Sequence, residues 1–226
     1  MGISSLSLFE IIEKVTWKIA PGPTPSFNEA HVVKTLELIG GYGIIGRIRL
    51  SKELGLGEGT TRTLLKHLKK EEITQSSRRG ILFTEKGKRL FSEVRSKISE
   101  CFAVPSSPLT IGSINMAVLV RDSANAVSSG MEQRDVAIKS GALGATTLVF
   151  LNNKLSLPTG EENLSESVPK LHNELVTLFN PKENDVIIVG SGENRAPVEV
   201  GAKMAAIKLI KKQQIIFPEK SGKKEN

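Results

Sequence analysis

Apolar residues recur at helical spacing through the first half of the chain and in short β-branched runs through the second half. The first half contains candidate core helices at 28–39 and about 85–98, because apolar side chains three or four residues apart share one helix face. Asn28 is a suitable N-cap for the first of them. The second half contains candidate strands at 114–120, 146–151 and 185–189. The pattern therefore predicts an α+β fold that changes character near residue 103.

Two short helices joined by a glycine turn lie between the two core helices. The first starts near Ser51, the turn covers residues 55–57, and the second helix runs from about Glu58 to Lys70. Strands at 73–76 and 80–83 can then pair around a tip that holds Arg78 and Arg79. Over residues 26–102 these elements predict a winged helix-turn-helix, with a three-helix core and a β-wing.

The stretch at 103–112 contains two prolines and several serines without periodicity, which predicts a linker between two domains. Beyond it, strands alternate with helices at about 131–140, 167–179 and 195–212, and a hairpin partner strand is expected at 154–157. This order predicts a two-layer α/β sandwich over residues 113–217, with a mixed sheet of about four strands.

The two ends of the chain are predicted to stand apart from the domains. Residues 1–25 have the pattern of an amphipathic helix followed by a proline-rich connector, which makes this helix an appendage, and residues 218–226 are expected to be a disordered tail. The helix from Leu6 to Ile19 offers an apolar face to a second chain. Because a single helix-turn-helix reads only a short half-site, we expect a homodimer.

Positive charge is concentrated in the first domain. Residues 25–101 contain 15 Lys and Arg against 9 Asp and Glu, whereas residues 102–217 contain 11 of each. This distribution predicts that the first domain binds a polyanion. The single cysteine permits no internal disulfide, the three histidines lack metal-ligand spacing, and no apolar run is long enough to cross a bilayer. We therefore expect a cytoplasmic protein without metal, cofactor or membrane contact.

The second short helix carries the candidate DNA-binding residues. Thr61, Leu64, Leu65 and Leu68 can face the core. The outward face, with Arg62, Thr63, Lys66 and Lys70, is suited to a major groove. We expect base contacts from Arg62, Thr63 and Lys66, close approach of the duplex at Gly59 and Thr60, and phosphate contacts from Lys52, Lys69, Arg78 and Arg79. A solvated basic face and a protein-docking module remain as alternatives. Glu71 and Glu72 stand where such proteins often have a glycine before the wing, and they lower the local positive charge.

The stretch "SSGMEQRDVAIKSGALGA" is predicted to form a helix with four ionisable side chains in eight residues. Ser129 and Glu132 have capping-box spacing, Asp135 and Lys139 can form a surface pair, and Gly141 is a suitable stop. These structural roles leave unexplained Arg134 and the preceding loop, which is rich in small polar groups. That excess predicts a ligand near this helix.

A second segment, "DVIIVGSGENRAPVEVGA", runs from a buried strand through a glycine turn into a helix. Its backbone amides at 191–195 are suited to hold an anion together with Arg195. It lacks the dinucleotide fingerprint and the P-loop lysine. Both segments together form one candidate effector site, made of Arg121, Asp122, Glu132, Arg134, Asp135, Gly190, Ser191, Gly192, Asn194 and Arg195.

Two groups of motifs resemble known proteins. "LSKELGLGEGTTRTLLKHLKKEEI" followed by "RRGILFTEKGKRL" resembles the winged helix-turn-helix of archaeal and bacterial transcription factors. "VRDSANAVSSGMEQRDVAIKSGALGATTLVF" joined to "DVIIVGSGENRAPVEVGA" resembles an archaeal family in which a winged helix precedes a C-terminal domain of unknown function. In that family the second domain looks like the GAD fold, which is also inserted in bacterial aspartyl-tRNA synthetases. The resemblance implies a transcriptional regulator and brings no ligand with it.

The preferred hypothesis is a DNA-binding transcriptional regulator that contacts double-stranded DNA, with a second domain that senses a small anionic effector or mediates dimerisation. On this hypothesis the protein is not an enzyme. An RNA-associated accessory protein is the alternative suggested by the synthetase resemblance, although the neutral second domain argues against it. An enzyme using the Glu132, Arg134 and Asp135 region is a further alternative, and it lacks a nucleophile–base pair, a metal constellation and a cofactor motif.

Overall fold

The computed structural model describes residues 8–17, 25–160 and 164–217. The helices of these ranges are α1 (Leu8–Thr16), α2 (Glu29–Tyr42), α3 (Arg47–Leu54), α4 (Glu58–Lys70), α5 (Glu85–Lys97), α6 (Met131–Lys139), α7 (Leu164–Ser167), α8 (Pro169–Phe179) and α9 (Arg195–Ile216). The strands are β1 (Thr74–Ser77), β2 (Gly80–Phe83), β3 (Phe102–Ala103), β4 (Ile114–Val120), β5 (Gly144–Leu151), β6 (Lys154–Ser156) and β7 (Val186–Gly192). None of these helices is long and apolar enough to span a membrane.

Helix α2 begins as its sequence predicts. The Asn28 side chain accepts a hydrogen bond from the backbone N–H of His31, and the His31 ring accepts one from the backbone N–H of Asn28. This reciprocal pair satisfies two donors that the first turn of a helix leaves open. The helix continues through Gly40 and Gly41 and ends at Gly43, where φ is +69°.

The first helix is part of the core, so the prediction that it is an appendage is wrong. Phe9, Ile12 and Val15 are buried, and α1 packs against α2, α4 and α5. The apolar face that was expected to bind a second chain is therefore covered by the chain itself. Burial within one chain avoids the entropy cost of association. Leu6, Ile19 and the connector at 18–24 lie outside the described residues.

The four helices that the sequence pattern places in the first domain all form, and α1 is added to them. Helices α2 to α5 all lie between residues 26 and 102, and α1 packs on them as a fifth helix. The hairpin forms as predicted, with β1 and β2 paired antiparallel, and a bridge from Ile45 to Ile81 extends it on one side. The first half is thus a helical cluster with a short antiparallel hairpin.

The large sheet has five strands in the order β3-β4-β7-β5-β6, and every neighbouring pair is antiparallel. The prediction of a mixed sheet of about four strands is therefore wrong. The strand–helix–strand unit β4–α6–β5 does run parallel overall, but β7 inserts between its two strands and pairs antiparallel with both. The fifth strand, β3, begins one residue before the predicted linker, and Val104 within that stretch continues its pairing with a hydrogen bond to Asn115.

Helices cover both faces of this sheet, so the second half has three layers rather than the two that were predicted. Helices α6 and α9 lie on one face, against Val118, Val120 and Ile188, and α8 packs Leu171 and Leu175 against the other. The reason is that successive residues of β4 and β7 point to opposite faces of the sheet and most of them are apolar. Both faces of the sheet therefore have to be buried. The likeness to the GAD fold stays a prediction.

The two halves share one continuous core. Helix α9 covers the sheet and also packs against α2, and the same buried cluster contains Leu36 from the first half and Ile207 from the second. Ser99 already hydrogen bonds to Leu119 of β4, just after α5 ends. The chain therefore joins the sheet before it reaches the linker that was predicted at 103–112. The tail at 218–226 lies outside the described residues.

Candidate nucleic-acid interface

Helices α3 and α4 meet at a tight turn that fixes their relative position. Gly55 ends α3 with φ +66°, and its N–H donates to the carbonyl groups of the last turn of α3. The Ser51 hydroxyl donates to the Leu56 carbonyl at 2.6 Å, which ties the helix to the turn. Leu50 and Leu64 are fully buried beneath this pair. The turn therefore holds α4 at one angle to the rest of the cluster.

Helix α4 has one buried face and one basic exposed face. Thr61, Leu64 and Leu68 are buried, as the helical spacing predicts. Of the nine candidate DNA-binding residues, Thr60 is half-buried and the others are exposed: Lys52, Gly59, Arg62, Thr63, Lys66, Lys69, Arg78 and Arg79. The Thr63 hydroxyl donates to the Gly59 carbonyl at 3.1 Å, so it can only accept a further hydrogen bond. The contact of these nine residues with nucleic acid stays a prediction.

The start of α4 is open to an approaching group. Its N-cap, Gly57, makes no side-chain cap hydrogen bond, so the first backbone N–H groups remain available. A Cβ atom built at Gly57 or Gly59 would meet no heavy atom within 4 Å. A glycine within a helix costs about 1 kcal/mol relative to alanine, and no contact in the described chain requires one at position 59. This helix start is suited to a phosphate oxygen.

The hairpin presents two arginines at its tip. Ser77 pairs with Gly80 across β1 and β2, which leaves only Arg78 and Arg79 in the connection. The Ser77 hydroxyl donates to the Gly80 carbonyl at 3.0 Å and accepts from the Arg79 N–H at 3.2 Å. Gly80 has φ +143°, and a Cβ atom there would lie 2.6 Å from the Ile45 carbonyl oxygen. The base of the hairpin is thus pressed against Ile45 while its tip is exposed.

Glu71 and Glu72 have different roles at the end of α4. The Glu71 carboxylate forms an ion pair with Lys14 of α1 at 2.9 Å, which neutralises its charge. Glu72 adopts φ +58°, the left-handed conformation that a glycine would take more readily. The turn between α4 and the hairpin is therefore made without glycine, and Glu72 is the strained residue in it.

Two exposed cations near this surface are absent from the predicted set. Arg47 begins α3, which starts four residues earlier than the sequence pattern indicated, and Lys70 ends α4. Arg49 is not available in the same way, because its guanidinium group donates to the Tyr42 hydroxyl at 2.8 Å and lies 4.0 Å from the centre of that ring. Gly46, the N-cap of α3, is the sequence signal for the earlier start.

The predicted effector site does not form as one site. In the antiparallel pair of β4 and β7, Val120 lies opposite Val186, and Ile114 lies opposite Gly192. Arg121 and Asp122 therefore follow one end of the sheet, while Gly190 to Arg195 lie at the other end, about 20 Å away for six strand residues. The expectation of a joint site is wrong because antiparallel pairing places the end of β4 beside the start of β7.

Arg121 and Asp122 belong to a turn with its own internal bonding. The Arg121 guanidinium lies 2.5 Å from the Asp185 carboxylate, which is almost fully buried. Asp185 also accepts hydrogen bonds from the backbone N–H groups of Asp122 and Lys182, at 3.0 and 2.8 Å. Asp122 itself is exposed, with φ +46°. These bonds fix the turn that leads into β7, and they pair the buried carboxylate of Asp185.

Glu132, Arg134 and Asp135 lie on the exposed surface of α6. The predicted capping box of Ser129 and Glu132 is wrong, because Gly130 is the N-cap, with φ +80°, and Glu132 is then the second helical residue instead of the third. Glu132 pairs with Lys212 at the end of α9. These three side chains therefore do not surround a buried space.

The remaining predicted effector residues lie around the start of α9. Ser191 is buried, and Gly190 and Gly192 are buried with it in β7, whereas Asn194 and Arg195 are exposed. Arg195 lines a cleft between α2, α3 and α9. Cys101 lines the same cleft, and burial raises the pKa of its thiol to about 12, so the thiol stays protonated near neutral pH. Within the ranges that the structure describes, no three potential metal ligands cluster.

Comparison with known proteins identifies similar domains in both halves. Residues 34–89 match the model of the PH0730-like N-terminal domain, and residues 111–210 match the domain of unknown function DUF4443. The chain is similar to the solved structure of the hypothetical protein PH0730 from Pyrococcus horikoshii OT3, with 27% identity, a TM-score of 0.69, and coverage of 83% of this chain and 95% of that one. No match was found among curated proteins. These similarities fit an archaeal family of unknown function.

Proposed function

We propose that this chain is a transcriptional regulator that binds double-stranded DNA through a winged helix-turn-helix. Helix α4 enters the major groove, and the tip of the β1–β2 hairpin contacts the adjacent backbone or minor groove. Helices α2 to α5 with the hairpin have the element order of such a domain. The resemblance of the sequence to archaeal regulators gives the same assignment, and a DNA-binding protein of this kind would act in the cytoplasm.

The observation that supports the proposal is the coincidence of charge and exposure on α4. Arg62, Lys66 and Lys69 lie on one exposed face, opposite the buried Leu64 and Leu68. A helix with side chains fits the width of the major groove, and each cation placed near a phosphate releases condensed counterions. An ordinary solvated helix would more often alternate the sign of its charges along such a face.

The contacts divide into two classes. Arg62 and Lys66 occupy successive turns of the outward face and are suited to base edges, whereas Lys69, Arg78 and Arg79 are suited to phosphates. The structure adds Arg47 to the phosphate class, since it is exposed at the first residue of α3. Base contacts determine sequence preference, and phosphate contacts determine most of the salt dependence.

The test is DNA affinity measured over a salt series. We expect Arg62→Ala to weaken binding to a selected genomic fragment by about 1–3 kcal/mol and to relax its sequence preference. Arg78→Ala should weaken binding to all duplexes and lower the slope of log affinity against log salt by about 1. Lys170→Ala, which removes an exposed cation from α8, is the matched control. Unchanged affinity and salt slope in the double variant of Arg62 and Arg78 would exclude this surface.

The RNA-associated alternative is tested by competition. Unlabelled tRNA and a random duplex of equal phosphate content are titrated against the labelled genomic fragment. We expect the fragment to be displaced only at large excess of either competitor, because base readout adds to the non-specific attraction. Displacement by tRNA before duplex DNA would favour the RNA-associated role.

A homodimer remains part of the proposal, because one helix-turn-helix reads a short half-site. Deletion of α1 is not a suitable test of it, since Phe9 and Ile12 are core residues whose loss would unfold the domain. Light scattering on the full chain, alone and with a fragment that contains two half-sites, measures the state directly. One chain bound per fragment at saturation would contradict the dimer.

A further inference from the structure

A cleft of about 560 Å³ lies where α2 and α3 meet the start of α9. Its walls therefore come from both halves of the chain. The size is within the range of pockets that hold small molecules, roughly 300–1,000 Å³. Gly55, in the turn between α3 and α4, comes close to Ala196 in the first turn of α9 at its rim. A change in the cleft thus acts directly at the contact between the helix-turn-helix and α9.

The deep charges of the cleft are paired with one another. Lys203 is fully buried and its ammonium group lies 2.7 Å from both carboxylate oxygens of Glu37. Lys34 forms an ion pair with the buried Glu199 at 2.8 Å. These pairs satisfy their own charges, so the floor of the cleft neither attracts nor repels a ligand strongly. They also keep the cleft polar.

Two cations at the mouth of the cleft have no such partner. Lys52 projects from α3 and Arg195 from the first residue of α9, and both are exposed. In the part of the chain that the structure describes, neither forms an ion pair, whereas the acidic lining residue Glu100 pairs with Arg95 at 2.6 Å and Glu53 lies 4.0 Å from Arg49. The two unpaired cations of the cleft therefore come from both halves of the chain.

The open volume beside α2 is maintained by Gly41. It is the last residue but one of α2, and glycine is a weaker helix former than alanine. A Cβ atom at this position would meet no other heavy atom within 4 Å. The fold does not need glycine here, and a larger side chain would occupy the cleft. The residue is explained if the space is used by a ligand.

We propose that this cleft binds a small anionic metabolite, whose phosphate or carboxylate group lies between Lys52 and Arg195. Arginine offers a planar pair of donors to such groups, and lysine adds a point charge. Because Lys52 is also a candidate phosphate contact, the bound anion competes with DNA for its ammonium group. The binding site stands on the cleft alone, whereas its effect on DNA affinity rests on the proposed function.

Binding is tested by thermal shift and titration calorimetry on the full chain. The probes are inorganic phosphate, ribose 5-phosphate and succinate, with ribose and with sodium chloride of equal ionic strength as controls. We expect at least one anionic probe to raise Tm where the controls do not, since a ligand that binds the native state stabilises it. Preference for ribose 5-phosphate identifies a phosphate ligand, and preference for succinate identifies a carboxylate ligand.

Variants place that binding in the cleft. Arg195→Gln and Lys52→Gln should each weaken the apparent Kd about tenfold, the usual effect of losing one charge-assisted hydrogen bond. Lys170→Gln, on the opposite face of the sheet, should leave it unchanged. Equal weakening in all three variants, or in none, would overturn the proposal, and so would the absence of binding by every anionic probe.

A variant that fills the cleft with a larger side chain tests the site a second time without removing a charge. Gly41→Leu should fold with unchanged or higher stability, because leucine favours the helix and its Cβ atom has no close neighbour, yet it should abolish the Tm rise caused by the probe. Retention of full binding in a folded Gly41→Leu variant would place the ligand elsewhere. A destabilised variant would contradict the open space on which the proposal depends.

The link to DNA is measured separately. The effective probe should weaken binding of the genomic fragment by the wild-type chain about tenfold, and the same effect on Arg195→Gln should need about ten times more probe. Arg62→Ala should lose DNA affinity and keep probe binding. If the wild-type chain binds no DNA, and the probe binds the wild type but not Gly41→Leu, the proposed function fails and the cleft site stands. If the wild-type chain binds DNA and no probe binds it, the cleft site fails and the proposed function stands.

Discussion

The His31 side chain completes the N-cap of α2, and its pKa also responds to the tertiary structure. Its ring accepts the hydrogen bond that completes the start of α2. Its pKa lies below the usual value, chiefly because the ring is partly buried, with Lys34 lowering it further against the opposing effect of Glu199. The neutral form is therefore favoured in the folded chain.

The pH dependence of stability follows from that shift. Because the folded pKa lies below about 6.5, the unfolded chain binds the proton more readily as the pH falls through this region. The contribution of His31 is fully present above pH 6.5 and is lost as the pH falls through the lowered pKa of the folded chain. We expect His31→Gln to reduce the loss of unfolding free energy between pH 7.5 and 5.5, measured by urea denaturation. Equal slopes in the wild-type and His31→Gln proteins would contradict the assignment.

At the scale of the element, α1 supports the candidate recognition helix. The ring of His67 in α4 lies 2.7 Å from the Val15 carbonyl oxygen and packs edge-on to Phe27 at 5.6 Å. Lys14 of α1 pairs with Glu71 at the end of α4. These contacts attach the end of α4 to a helix that the sequence pattern had placed outside the domain.

Loss of the buried face of α1 should unfold the helical cluster. Phe9 is 1% exposed, so Phe9→Ala removes a core side chain and should cost about 3–5 kcal/mol of unfolding free energy. Trp17, which follows the same helix, is 58% exposed, and Trp17→Ala should change stability by less than about 0.5 kcal/mol. Chemical denaturation of both variants checks the difference. A small effect of Phe9→Ala would mean that α1 is an appendage after all.

At the scale of the whole molecule, a seam of ion pairs joins α2 to α9. Glu37 pairs with Lys203, Lys34 with Glu199, and Glu29 with Lys211 at 3.0 Å. The partners are about 165 to 182 residues apart in the chain. The seam therefore forms only once both halves have folded, and it sets their relative position.

The buried pair at the centre of the seam gives a test of that role. Lys203→Met leaves the Glu37 carboxylate buried and unpaired, and should cost about 3–5 kcal/mol. The double variant Glu37→Leu with Lys203→Met removes both charges and should recover most of this loss. Denaturation curves of the single and double variants form a cycle that measures the coupling. If the double variant is as unstable as the sum of the singles, the two groups do not act as a pair.

Local signals in the sequence predicted local structure well. The Asn28 cap, the glycine turn between α3 and α4, and the hairpin around Arg78 and Arg79 each depend on residues a few positions apart. The facing of Arg62 and Leu64 also follows from helical spacing alone. For the same reason, the predicted bounds of β4 agree with the structure at both ends.

What the sequence by itself determined is most of the elements, the side chains that α4 exposes, and the concentration of cations in the first half. These depend on backbone preference, on periodicity and on composition, all of which are local. The tertiary structure alone decided that β7 separates β4 from β5, that α1 enters the core, and that Lys203 meets Glu37. Each of these is a choice among distant partners of similar apolarity or opposite charge, which packing makes for the chain as a whole. The separation of Arg121 from Arg195, and the meeting of Arg195 with Lys52 at one cleft, follow from those choices.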